Sequence, residues 1–135
     1  MASIKGFLLQ AAFAALLTTP LAQAQPPSPH ATAKPQQYLY MLRVAAHLQD
    51  QSKWSDKEKA AAARHFERLK KATAEGKVIL AGRTTEALDK TFGLVIFEAD
   101  SEAAAKAFME GDPAVMAGVM TATLHPYSVA LERKR

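Results

Sequence analysis

The sequence predicts an α+β fold with the ferredoxin-like order βαββαβ, in which one antiparallel four-stranded sheet carries both helices on one face. Three observations predict it. Four segments rich in strand formers, at 38–44, 77–82, 91–98 and 121–131, alternate in that order with two segments of helical periodicity. Both helical segments open on capping residues and close on glycine. The length of 135 residues, 49% hydrophobic and without cysteine, suits one domain held by an apolar core and not by disulfides.

The chain opens on an address. Lys5 gives a positive start, Phe7 to Leu17 is an apolar run of 11 residues broken only by Gln10, and Ala22-Gln23-Ala24 is a small-x-small cleavage signal. This order reads as a secretory signal peptide over 1–24, cleaved after Ala24, and predicts a periplasmic or secreted protein. The run is too short for a permanent membrane span, so no membrane association is expected after cleavage. Residues 25–37 hold four prolines and almost no large apolar side chain. They read as an extended tether, with His30 a solvated residue within it.

The domain proper is expected over 38–131. Tyr38 to Val44 is the first strand. Ser55 and Glu58 have capping-box spacing, so a long helix starts there and runs to Gly76. Ala62, Phe66, Leu69 and Thr73 are expected on its core face, while Arg64, Glu67, Arg68, Lys70 and Lys71 fall mainly on the wet side with Glu67–Lys71 an i,i+4 pair. Lys77 to Gly82 and Thr91 to Glu98 are the middle strands, with Gly93 a bulge or close-approach point. Asp100 or Ser101 caps a second helix through Glu110, with Ala104, Ala107 and Phe108 inward. Asp112-Pro113 opens a short helical turn to Val119. Thr121 to Leu131 is the last strand, forced to an edge or bulge by Pro126, and 132–135 is a basic tail.

Val78-Ile79-Leu80 and Leu94-Val95-Ile96-Phe97 are apolar on both strand faces, yet the 111 residues (135 − 24) expected after cleavage leave no third layer to cover the sheet. Pairing two sheets face to face predicts a homodimer. The net charge of +4 is well mixed, and the one dense cation cluster is Arg133-Lys134-Arg135, so no nucleic-acid partner is expected.

Candidate chemistry rests on histidines and one aspartate. His65 shares a helix face with Ala62, Leu69 and Ala72. It is either a satisfied boundary residue or a general acid–base, since imidazole titrates near neutrality. Asp112 is either a simple N-cap or a carboxylate that orients an imidazole, and the roles are compatible because a capping carboxylate keeps a second oxygen. His125, held extended before Pro126, and Arg43, an isolated cation at the end of an apolar strand, are candidate substrate-binding residues. Arg43 is equally readable as a snorkelling surface arginine. His47 reads as solvated. No histidine spacing matches a zinc motif, and no metal or cofactor is expected.

The runs His65-Phe66-Glu67-Arg68-Leu69, Glu75-Gly76-Lys77-Val78-Ile79-Leu80-Ala81-Gly82, Gly111-Asp112-Pro113-Ala114-Val115-Met116-Ala117-Gly118-Val119 and Leu124-His125-Pro126-Tyr127 resemble the YciI-like (YCII-related) domain. The resemblance spans about Tyr38 to Leu131 and implies the dimeric α+β barrel superfamily. It also implies a His-Asp active site, which falls on His65 and Asp112. Some relatives are lyases or isomerases of small cyclic or aromatic compounds, among them a dehydrochlorinase of chlorinated hydroxyquinols. Gly82-Arg83 stands where the family usually has Gly-Pro, which changes the loop after the second strand. The functional expectation is therefore proton transfer by His65 and Asp112 on a small cyclic or aromatic ligand. The alternative is a non-catalytic ligand-binding or interaction module on the same scaffold.

Overall fold

A computed structural model describes residues 35–133. The signal peptide, most of the tether with His30, and the last two residues of the basic tail lie outside the described residues.

Strand β1 (Gln36–Val44) is followed by two single 3₁₀ turns, helix α1 (Asp56–Ala74), strands β2 (Val78–Arg83) and β3 (Gly93–Ala99), helix α2 (Glu102–Glu110), the short helix α3 (Pro113–Met116) and strand β4 (Met120–Pro126). The sheet order is β2-β3-β1-β4 with every pair antiparallel, which is the ferredoxin-like arrangement. Tyr38, Tyr40 and Leu42 alternate onto the face beneath the helices, opposite Phe97, Val95 and Gly93 of β3. With Leu69 and Ala72 of α1 and Ala105 and Met109 of α2 they form the main core. Trp54, Leu48, Ala61, Ala114 and Val119 form a second cluster under α3.

The helix ends follow local chemistry. Glu58 accepts from the Ser55 amide at 2.7 Å, and the Ser55 hydroxyl turns to the same carboxylate. Gly76 takes φ +78°, and Lys77 and Gly76 donate back to Ala72 and Thr73, a Schellman closure of α1. Gly118, at φ +69°, closes α3 in the same way, through Val119 to Ala114 and Gly118 to Val115.

Several expectations shift. The inward face of α1 is Ala61, His65, Leu69 and Ala72, so Phe66, one position round the helix, stands 65% exposed and Thr73 is exposed. Arg68 belongs to the buried side and not the wet one, its side chain only 25% exposed. Glu67 pairs with Lys70 at 3.7 Å, while Lys71 reaches Glu75. In α2 the inward residues are Ala105, Phe108 and Met109; Ala104 and Ala107 face solvent. The last strand stops at Pro126, which has no amide to continue a ladder. Gly93 is neither a bulge nor a close-approach point: a Cβ there would meet Leu42 Cβ at 3.5 Å, an ordinary contact, and the register shift falls in β2 between Val78 and Leu80.

Candidate functional site

His65 lies one turn after Ala61 and one turn before Leu69, so the helix period turns it toward the core while its ring stays 15% exposed. Asp112 follows Gly111 at the end of α2. Its extended backbone reverses the chain into α3, and Pro113 fits the first helical position because no amide is needed there. Asp112 Oδ1 caps the helix by accepting from the Ala114 amide at 2.9 Å.

The carboxylate has capacity left; two side chains hydrogen-bond to it and a third faces it. His65 Nδ1 sits 2.7 Å from Oδ2 and 2.9 Å from Oδ1. The Tyr40 hydroxyl, rising from the centre of β1, donates to Oδ2 at 3.1 Å. Arg68 Nη1 lies 3.8 Å from Oδ2. Its guanidinium is fixed by an Nη2 donation to the Phe108 carbonyl at 2.8 Å and by stacking 4.2 Å over the Phe108 ring. Arg68 Nη1 is buried without a hydrogen-bond partner, so its charge faces Asp112 across a short gap.

Asp112 is fully buried. Burial works against its charged form, but the hydrogen bond and charge of His65, the Ala114 amide and the Tyr40 hydroxyl outweigh it and hold the carboxyl below its ordinary range. Burial and the Asp112 charge push the Tyr40 hydroxyl far above the ordinary phenol range, so it remains a donor. A carboxylate only accepts, so the neutral His65 ring carries its proton on Nδ1. Nε2 then presents a lone pair, and it takes no hydrogen bond among the described residues.

Beside this pair runs an open groove of about 1430 Å³, lined by His65, Phe66 and Leu69 of α1, Leu42 and Val95 of the sheet, and Leu88 of the β2–β3 connection. It continues round the free edge of β2, which accounts for a volume above the roughly 300–1,000 Å³ of an enclosed ligand pocket. His65 therefore stands between a buried carboxylate and an accessible apolar groove.

Of the four candidate residues, His65 and Asp112 are brought together, and Arg43 and His125 are not. The strand period of two puts Arg43 and His125 on the face of the sheet away from the helices, with Leu39 and Met41. Arg43 is exposed with its guanidinium 5.6 Å from the Phe92 ring centre, and exposed His125 bonds Thr123 through Nε2 at 3.1 Å. Within one chain they cannot meet a ligand held at His65 on the helix side, which corrects the expectation that they serve that ligand. His47 is exposed. Tyr40 and Arg68 were missed. Tyr40 had a signal, since an inward strand tyrosine needs a partner for its hydroxyl. Arg68 had a weaker one, three residues after His65 on the same helix face.

The profile of the YCII-related domain matches residues 39–124. The chain belongs to the YCII-related domain family. Comparison with curated proteins returns no match. Among solved structures it is similar to the 5-chloro-2-hydroxyhydroquinone dehydrochlorinase of Burkholderia phenoliruptrix AC1100, in complex with 2,5-dihydroxybenzoquinone. The two share 22% identity with a TM-score of 0.52, over 68% of this chain and 93% of the other. At that identity the likeness speaks for the fold. In this YCII-related chain no group of three or more metal-ligating side chains converges among the described residues. No helix among them is long and apolar enough to cross a membrane.

Proposed function

We propose that this protein takes a small cyclic or aromatic compound into the groove beside α1 and acts on it as a lyase or isomerase, with His65 moving the proton. The observation that carries the reading is the His65 ring itself, tied through Nδ1 to a buried carboxylate, lining the groove, and with Nε2 free of hydrogen bonds among the described residues. Nε2 accepts a proton from the ligand, and Asp112 balances the positive charge that this places on the ring. Departure of a leaving group from the neighbouring carbon completes an elimination, and return of the proton to another carbon completes an isomerisation. Tyr40 and the Ala114 amide keep the carboxylate from turning as the charge develops. The structural neighbour, a dehydrochlorinase in complex with 2,5-dihydroxybenzoquinone, supports a small cyclic ligand.

The same reading has the protein exported through its first 24 residues and paired as a homodimer. Leu80, 55% exposed, and half-buried Leu39, Met41 and Leu94 leave an apolar sheet face that a second copy would cover. The test is a screen of halogenated and hydroxylated quinols and small lactones against wild type, His65→Ala and Asp112→Asn. Turnover of one compound that falls about 10²-fold or more in both variants is expected. Undiminished turnover by His65→Ala would sink the reading, and binding without turnover by the wild type would make the protein a ligand-binding module instead.

A further inference from the structure

Arg43 faces away from a ligand at His65, but a second arginine lines the same groove as His65. Arg83, the last residue of β2, pairs with Gly93, which in turn pairs with Leu42. Leu42 faces the helices, and directly opposed residues share a face, so the Arg83 side chain leaves the sheet on the helix side. There it lines the groove that His65 also lines. Gly93 across the ladder carries no side chain, which keeps the space beside Arg83 open.

The cation is also uncommitted. The groove is also lined by Lys70, which lies 3.7 Å from Glu67, and by Arg133 near the end of the chain. Arg83 has no carboxylate within ion-pair distance among the described residues, although Glu132 lines the same groove. A planar guanidinium at the rim of an apolar groove matches a ring that carries a carboxylate, which it can bind with two parallel hydrogen bonds. Phe66 and Leu88 offer apolar surface to the ring.

We propose that Arg83 is a specificity-determining residue that binds a carboxylate on the ring of the groove's ligand. This rests on the reading of the groove as the ligand site. It selects acidic aromatic compounds over neutral ones and sets the ring's orientation toward His65 Nε2.

Gentisate and hydroquinone differ by that one carboxylate and are the probes. Their dissociation constants are measured by calorimetry on wild type, Arg83→Gln and Arg83→Lys, while NMR follows the His65 ring protons. Gentisate is expected to shift the His65 resonances and to lose about tenfold or more in affinity in Arg83→Gln, with partial recovery in Arg83→Lys and hydroquinone unaffected. If both probes move His65 with equal affinity and Arg83→Gln changes neither, the carboxylate proposal fails while the groove reading stands. A loss of gentisate affinity in Arg83→Gln without any His65 shift in wild type would put the anion site elsewhere and overturn the proposal. If neither probe moves His65, the proposal and the groove reading fall together.

Discussion

Replacing Asp112 tests the site and the fold at once. In Asp112→Ala the Ala114 amide loses its cap, which costs about 1 kcal/mol. The buried Tyr40 hydroxyl loses its acceptor, which costs about 1–3 kcal/mol. Arg68 is left with no counter-charge for its partnerless Nη1. The expected loss is about 3–4 kcal/mol, a large share of a small domain's stability. Asp112→Asn keeps the shape and one acceptor oxygen, so about 1–2 kcal/mol is expected. The asparagine amide also donates to Nδ1 and drives the His65 proton to Nε2, which removes the base from a folded protein. Trp54, the single tryptophan and buried in the second cluster, reports urea unfolding. The pH dependence adds a sign. Because the folded Asp112 carboxyl is held below its ordinary value of 3.8, its contribution is fully present above that pH and is lost as the pH falls through the folded value. The stability gap between wild type and Asp112→Asn should therefore be constant down to about pH 4 and shrink below it. A gap of zero at pH 7, or one that widens in acid, would refute the reasoning.

Tyr40→Phe removes only the hydroxyl that steadies Asp112 Oδ2, and should cost about 1 kcal/mol in urea unfolding while the His65–Asp112 contact persists by NMR. Phe66→Ala should leave stability within about 0.5 kcal/mol, because the ring is exposed, yet weaken any ligand of the groove by calorimetry. Phe108→Ala should cost about 3 kcal/mol, since its ring packs on Phe97 at 4.8 Å between centres and carries the Arg68 guanidinium. A loss under 1 kcal/mol in that variant would show that the Arg68–Phe108 stack does not hold the guanidinium in place.

The topology was legible because period-two and period-3.6 patterns separate cleanly along this chain, and Gly76 and Gly111 mark where the helices stop. Helix facing was harder to read. The alanine-rich run of α1 offers too little contrast between small residues, so its pattern fits two faces one position apart, and the structure takes the one that leaves Phe66 outside. Side-chain direction on β1 and β4 follows from alternation alone, and with Tyr40 inward it sets Arg43 and His125 on the face opposite His65. The partners of Asp112 come from α1 and β1, 47 and 72 residues away in sequence. Spacing cannot reveal such contacts, and only the register of β1 under the helices brings Tyr40 to the carboxylate.

Asp112 has two duties, and they constrain each other. α3 is four residues long, too short to persist on propensity, and it depends on its cap, its Schellman closure and the burial of Ala114. The cap oxygen and the oxygen that takes the Tyr40 hydroxyl belong to one planar group. Whatever fixes α3 against the second core cluster therefore fixes the plane of the carboxylate and, through Nδ1, the plane of the His65 ring. The imidazole's aim into the groove is thus set by backbone capping as much as by side-chain packing. A change that loosens α3 without touching the pair should misalign the base. Val119→Ala, which removes buried volume at the C-terminal closure of α3, is such a change. It should lower turnover more than it lowers ligand affinity, whereas an equal fall in both would show that capping and alignment are uncoupled.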